Sequence, residues 1–222
     1  MNFLLDSLWY RSYGFSLSDV GAMVNTDDLQ DFDARYRQRE MELIKIIDEH
    51  QKILTSLALH RQRLAKIDDE LGKFSYTDSP AMVWQRQRDQ GIMEKGESAD
   101  HIRRWVELLP HVNHTFLMPE VKPSEGEFKD YCWGFSTTPE NACHYDLPMT
   151  ASTEYIPSFK SIRTVFTAGG EGTFMEAFNS QVIEPIKAMG HTPSRPPVGN
   201  LLVRVHNKGE MKRYFEVWVP IE

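Results

Sequence analysis

Residues 26–72 read TDDLQDFDARYRQREMELIKIIDEHQKILTSLALHRQRLAKIDDELG, with no proline anywhere in the run. Tyr36, Leu43, His50, Leu57, Leu64 and Leu71 recur at every seventh position, and Phe32, Arg39, Ile46, Ile53, His60 and Ile67 form a second row. The steps between the rows alternate four and three, as the seam of a coiled coil requires. Thr26, followed by Asp27 and Asp28, reads as an N-cap with acidic residues against the helix dipole, and Gly72 as the stop. Ile47 and Leu54 widen the stripe at its centre. A helix of this length spans about 60 Å at about 1.5 Å per residue, too long to bury its seam against its own small domain. The economical partner is a second copy, so Tyr36, Leu43, Ile46, Ile53, Leu57, Leu64 and Ile67 are the expected homodimerisation residues. Arg39, His50 and His60 interrupt the seam, where it is expected to be wet or splayed.

Outward from this helix the composition changes on both sides. Residues 1–25 form a short apolar opening, residues 73–80 a linker, and residues 81–222 a segment rich in aromatics, glycine and proline. All 12 prolines fall at or after Pro80, so turns must break up the C-terminal part. Strands are expected at Met82–Gln87, Thr115–Met118, Tyr131–Ser136, Ile162–Thr167, Leu201–His206 and Arg213–Ile221. One short helix is expected from Ser98, with Ile102, Trp105, Val106, Leu109 and Val112 on one face. Another is expected from Thr173, with a capping box to Glu176, inward Phe174, Phe178, Val182 and Met189, and an interruption at Pro185.

These elements repeat in order. Pro80, Gly96, the Ser98 helix and DYCWGFS are matched by Pro157, Gly172, the Thr173 helix and RYFEVWV. The expected fold class is therefore α+β, a long coiled-coil helix followed by two pseudo-repeated strand–helix–strand–strand units with a groove along their seam.

Composition sets limits on function. The formal net charge of −7 over 222 residues argues against a whole-chain nucleic-acid binder. No apolar run approaches the roughly 18 residues of a membrane span, and MNFLLDSLWYRSYGF lacks the basic start of a secretory signal. Cys132 and Cys143 make neither a disulfide scaffold nor a metal knuckle, so a cytoplasmic protein with no membrane partner and no cofactor is expected.

The last strand is the most informative about chemistry. Tyr214, Glu216 and Trp218 share one face, and Phe215, Val217 and Val219 the other. In the first half, Tyr131, Trp133 and Phe135 share a face, with Cys132 and Gly134 opposite. If the two strands meet at the pseudo-twofold, Glu216 faces a wall of rings, which suits a lipophilic aromatic cation. Glu216, Trp218, Tyr214, Trp133, Phe135 and Tyr131 are thus the candidate ligand-binding residues. The plainer alternative puts Glu216 on a solvated sheet face. Gly169–Thr173 lacks the ending of a phosphate loop and reads as a turn. His111 and His114 lack further ligands, so no metal site is expected. Arg61, Arg63 and Lys66 read as a solvated helix face.

Residues 8–24, LWYRSYGFSLSDVGAMV, resemble the stretch that follows the winged helix in the mercury-resistance-regulator (MerR) family, where it leads into a long dimerising helix. Residues 76–222 resemble the gyrase-inhibitor-like (GyrI-like) effector-binding domain of multidrug-sensing members. The matches are Tyr155-Ile-Pro157, Met189-Gly190-His191 and Phe215-Glu-Val-Trp-Val-Pro220. The resemblance implies that Glu216 corresponds to the acidic residue of the drug pocket. In that family a winged helix precedes this stretch, and the chain resembles a member lacking it; only Arg11 is basic in the first 25 residues, so DNA binding is expected only if that part is supplied.

The first functional reading is therefore the effector-sensing and dimerising region of a MerR-type transcription regulator. A second is a GyrI-like hydrolase of electrophilic natural products with Glu216 as general base. A third is a dimerisation partner that modulates a full-length relative.

Overall fold

The computed structural model describes residues 3–89, 92–93, 97–118, 128, 130–170, 173–207 and 209–221. Three helices come first, α1 (Phe3–Ser12), α2 (Leu17–Met23) and α3 (Leu29–Glu70). Then follow β1 (Ser75–Asp78), β2 (Met82–Asp89), β3 (Ile92–Met93), α4 (Glu97–Glu107), β4 (Asn113–Leu117), β5 (Cys132–Thr137) and α5 (Pro139–His144). The chain continues through β6 (Thr153–Ile156), β7 (Lys160–Ala168), α6 (Phe174–Phe178), a π-helical turn (Asn179–Ile183), α7 (Glu184–Ala188), β8 (Val198–Asn207) and β9 (Glu210–Pro220). This is the α+β arrangement expected. It divides into two compact units, residues 1–54 and 55–222, and α3 runs through the division.

In the first unit, Ser16 and Asp19 form a capping box at the start of α2. Phe15, Val20 and Met23 make a small core against Tyr10, Phe32 and Tyr36. Tyr36 lies edge-on to Phe15 at 5.3 Å and to Tyr13 at 5.8 Å, so its own chain already covers part of it. Arg39 is equally occupied: its Nε donates to Tyr13 O (3.0 Å) and Nη1 to Glu42 (3.0 Å). At the start of α3 the capping side chain is Asp28, whose carboxylate accepts from Gln30 N (2.8 Å), rather than Thr26. Thr26 Oγ1 instead accepts from Asp28 N, holding the turn one step earlier. Leu43, Ile46 and Ile53 are exposed.

In the second unit the end of α3 is part of the fold. Ile67 is buried with Val165 and Leu202, and Leu64 packs beside them. These two expected seam residues are therefore filled or partly filled by their own chain, whereas Leu57 is exposed. Gly72 adopts φ +67°, a conformation glycine reaches without strain, and its N–H donates to Val165 O at 2.9 Å. The expected linker is not plain coil: β1 pairs antiparallel with β7 from Ser75↔Arg163 to Asp78↔Lys160.

All six expected strands are present, and the pseudo-repeat is visible in their order. β2–β5–β4 in one half mirrors β7–β9–β8 in the other, and the halves join where β4 meets β8 at Thr115↔Asn200 and Phe116↔Gly199. β6 pairs with β2, and Ser79 N bonds to Phe159 O (2.8 Å) between the β1–β7 and β2–β6 ladders. The outer strands of the two halves are thereby joined to one another. The short elements β1, β3, β6 and α5 are additions to the expected set.

One sheet face packs under the later helices. Phe116, Ile162, Phe166, Phe215, Val217 and Val219 meet Phe174, Phe178, Val182, Ile183 and Ile186. On the same face Val83 and Phe135 meet Ile102 and Trp105 of α4. Leu109 is exposed, against expectation, because α4 ends at Glu107 and the helical period ends with it; Val106, within the last turn of α4, is exposed as well. Met189 is exposed too, one residue past the end of α7. Thr173 does not cap α6: its backbone is helical rather than extended, and its hydroxyl donates to Gly170 O (3.0 Å). The interruption expected at Pro185 takes the form of the π-helical turn immediately before it, which accommodates a residue with no N–H to donate.

Candidate functional site

Strand alternation places Glu216 and Trp218 on the sheet face opposite to Phe215, Val217 and Val219, as the sequence pattern requires. Glu216 is 3% exposed. Its Oε2 accepts two hydrogen bonds from Arg163 of β7, from Nε at 3.0 Å and Nη2 at 2.7 Å. The same Nη2 donates to Glu70 Oε2, on the last turn of α3, at 2.6 Å. Burial alone would lower the Arg163 pKa, but the hydrogen bonds and charges of Glu70 and Glu216 raise it above its ordinary value. One guanidinium therefore serves two carboxylates. The other oxygen, Glu216 Oε1, is buried and has no hydrogen-bond partner among the described residues.

Around this carboxylate the face is partly aromatic and partly polar. Trp218 is buried, directly across from Arg163 on one side and Val198 on the other. Tyr214 packs on the Ile67–Val165–Leu202 cluster, with Lys212 Nζ 5.0 Å from its ring centre. A buried row crosses the centre of the sheet: Glu216↔Asn200↔Thr115↔Gly134. Thr115 Oγ1 bonds to Asn200 Oδ1 (2.7 Å) and to Ser136 Oγ (2.6 Å). The pseudo-twofold makes Gly134 the counterpart of Glu216, so only one half carries the charge. Gly134 is glycine for a packing reason, since a Cβ there would meet Gln85 O and Trp84 Nε1.

Three expected site residues lie elsewhere. Tyr131 and Trp133 pack on the opposite face, Tyr131 at 4.3 Å from Phe174 and Trp133 at 6.1 Å from Phe215. Phe135 belongs to the Trp105 cluster on that same face. The correction has a simple cause. Matching Tyr131 to Tyr214 sets the two halves one residue out of register, and a one-residue slip exchanges the faces. The strands of these residues do not meet at the pseudo-twofold either, because β4 and β8 lie between β5 and β9.

Sequence reasoning missed Arg163 and Glu70. Arg163 had a signal, a lone cation in the otherwise uncharged stretch Ile162–Phe166. Glu70 had none, since it lies 93 positions from its partner in the chain.

The remaining candidates are placed as follows. His114 is stacked near Trp133 (4.8 Å) and Phe135 (5.6 Å), and burial, with a smaller contribution from Arg204, lowers its pKa to about 4. His111 Nδ1 is 3.5 Å from Ser56 Oγ, and its ring stacks on Tyr145. Among the described residues no group of three side chains could hold a metal ion, and no helix is long and apolar enough to cross a membrane. Arg213 donates to the carbonyls of Gly169 and Gly170, so that turn is held by a side chain; residues 171–172 lie outside the described residues. A cleft of about 400 Å³ in the first unit is lined by Gly14, Phe15, Asp19, Arg35, Arg39 and Glu42, none of which is a candidate ligand-binding residue.

No protein-family model matches the sequence, and no curated protein matches it. Solved structures similar to the chain include the EcmrR C-terminal domain, at 10% identity and a TM-score of 0.42, over 68% of this chain and 97% of that one. EcmrR in its DNA complex matches at 11% identity and a TM-score of 0.39, over 97% of this chain and 80% of that one. A bacterial transcription regulation protein from Staphylococcus aureus MU50 matches at 13% identity and a TM-score of 0.36, over 68% and 98%. With TM-scores below 0.5, these likenesses carry no argument about the family or ligand of this chain.

Proposed function

We propose that the chain is the effector-sensing and dimerising region of a MerR-type transcription regulator, and that the sheet face carrying Glu216 takes a lipophilic aromatic cation. The observation that carries this reading is the charge balance at Glu216. Two carboxylates share the Arg163 guanidinium, and the buried Oε1 has no donor among the described residues. A buried acceptor left unpaired costs about 1–3 kcal/mol, so the site favours an incoming donor or cation. Trp218 and Tyr214 supply ring faces, each contributing about 0.5–2 kcal/mol to a desolvated cation. Trp133, Tyr131 and Phe135 take no part. The exposed stripe of α3 from Leu43 to Leu57 is the homodimer surface in this reading.

As a hydrolase, the protein would need Glu216 to take a proton from water. The geometry opposes that, because Oε2 already accepts two hydrogen bonds from Arg163 and the residue is buried away from solvent water. A partner-only role leaves the excess charge at Glu216 without use.

Tryptophan fluorescence tests the proposal. N-methylquinolinium is titrated against its neutral isostere, 1-methylnaphthalene. The expected outcome is saturable quenching by the cation at lower concentration than by the isostere, weakened roughly tenfold or more in Glu216→Gln. Equal cation affinity in parent and variant would remove Glu216 from the site.

A further inference from the structure

We infer that Glu70, which lies on α3 and is assigned no ligand contact, sets the cation affinity of Glu216 through Arg163, so that ligand occupancy and the anchoring of α3 on the sheet are linked. The inference rests on the reading of Glu216 as a cation site, and it deepens that reading into a means of regulation.

The geometry is specific. Arg163 uses Nε and Nη2 for Glu216 and the second hydrogen of the same Nη2 for Glu70, so the two carboxylates share one positive charge. Their side chains differ in burial: 4% exposed for Glu216, 30% for Glu70 and 22% for Arg163. The last turn of α3 carries Asp68, Asp69 and Glu70 with no basic residue, an unfavourable set at the negative end of a helix dipole. Arg163 offsets that charge from the sheet. The remaining anchors of the helix end lie within a few residues: Ile67 in its cluster, Leu71 in a bridge with Val165, and Gly72 N bonded to Val165 O.

A cation at Glu216 Oε1 changes the sharing. Empty, the cluster has two carboxylates and one guanidinium. Occupied, it has two of each sign, Glu216 is served by the ligand, and Arg163 is free to pair with Glu70. The ligand thus strengthens the hold of the sheet on α3. By linkage, a helix end held through Glu70 must strengthen the ligand in equal measure. Removing the Glu70 charge leaves Arg163 wholly to Glu216, which neutralises the site and removes its net attraction for an incoming cation.

The experiment compares the parent, Glu70→Gln, Arg163→Lys and the double variant by isothermal titration with N-methylquinolinium and 1-methylnaphthalene. Thermal unfolding confirms that each is folded. Glu70→Gln is expected to weaken the cation at least about 5-fold while leaving the neutral isostere unchanged. Arg163→Lys keeps the charge but loses the guanidinium fork that spans both carboxylates. Glu70→Gln should therefore have a smaller effect in that background. Amide hydrogen exchange at Gly72 should slow on adding the cation to the parent, and not in Glu70→Gln.

If the parent prefers the cation and Glu70→Gln matches it, the linkage is overturned while the Glu216 site stands. Equal loss for cation and isostere overturns the linkage too, since it marks a structural role for Glu70. A parent that does not distinguish cation from isostere overturns both readings.

Discussion

At the scale of single residues, environment rather than residue type decides which groups carry charge. His114 and Glu216 are both largely buried in the same sheet, yet they face opposite sides and meet opposite solutions. Glu216 accepts two hydrogen bonds from the guanidinium of Arg163. His114, between Trp133 and Phe135, has no such partner among the described residues, and burial, with a smaller contribution from Arg204, lowers its pKa from 6.5 to about 4. The fold thus binds the neutral imidazole. Its contribution to stability is complete above about pH 6.5, the unfolded value, and is lost as pH falls through about 4. The loss reaches up to about 3 kcal/mol below both values. Urea unfolding of the parent and His114→Phe at pH 7 and pH 4.5 checks this. The gap between them should shift in favour of the variant at the lower pH, and a constant gap would refute the assignment.

At the scale of elements, α3 changes its environment along its length. One heptad pattern runs through it, but the residues on that pattern are used differently. Tyr36 packs on Phe15, the stretch from Leu43 to Leu57 is exposed, and Ile67 is sealed against Val165 and Leu202. The pattern measures only that a face is apolar; it cannot distinguish a partner helix from a sheet. Truncation separates the two. Ile67→Ala should cost about 2–5 kcal/mol in unfolding free energy whatever the protein concentration. Ile53→Ala should cost little in the monomer and act through association alone. A similar, concentration-independent loss at both positions would mean that the stripe is covered equally along its length.

At the scale of the whole molecule, the proposed homodimer rests on the exposed stripe of α3. Charged residues at Ile46 and Ile53 test it directly, since both are exposed and neither belongs to a core cluster. Ile46→Glu combined with Ile53→Glu should convert a dimer to a monomer in sedimentation equilibrium. Thermal unfolding of the sheet, followed through its buried tryptophans, should persist. Unchanged mass would place any self-association elsewhere.

Much of this fold was legible in the sequence because its signals are local. The seven-residue period of residues 32–71 requires a helix, alternation in residues 213–219 separates Glu216 from Phe215, and the repeated order of elements announces two similar halves. These follow from backbone geometry that each segment obeys by itself. The site was less legible. Which strands become neighbours, and in what register, is decided by how the halves bury their apolar faces together, and that is a long-range property. Only the assembled sheet puts Arg163 beside Glu216 from 53 positions away and brings Glu70 onto the same guanidinium. It also turns Trp133 to the other face, where the apolar area of the ring is buried under Phe174.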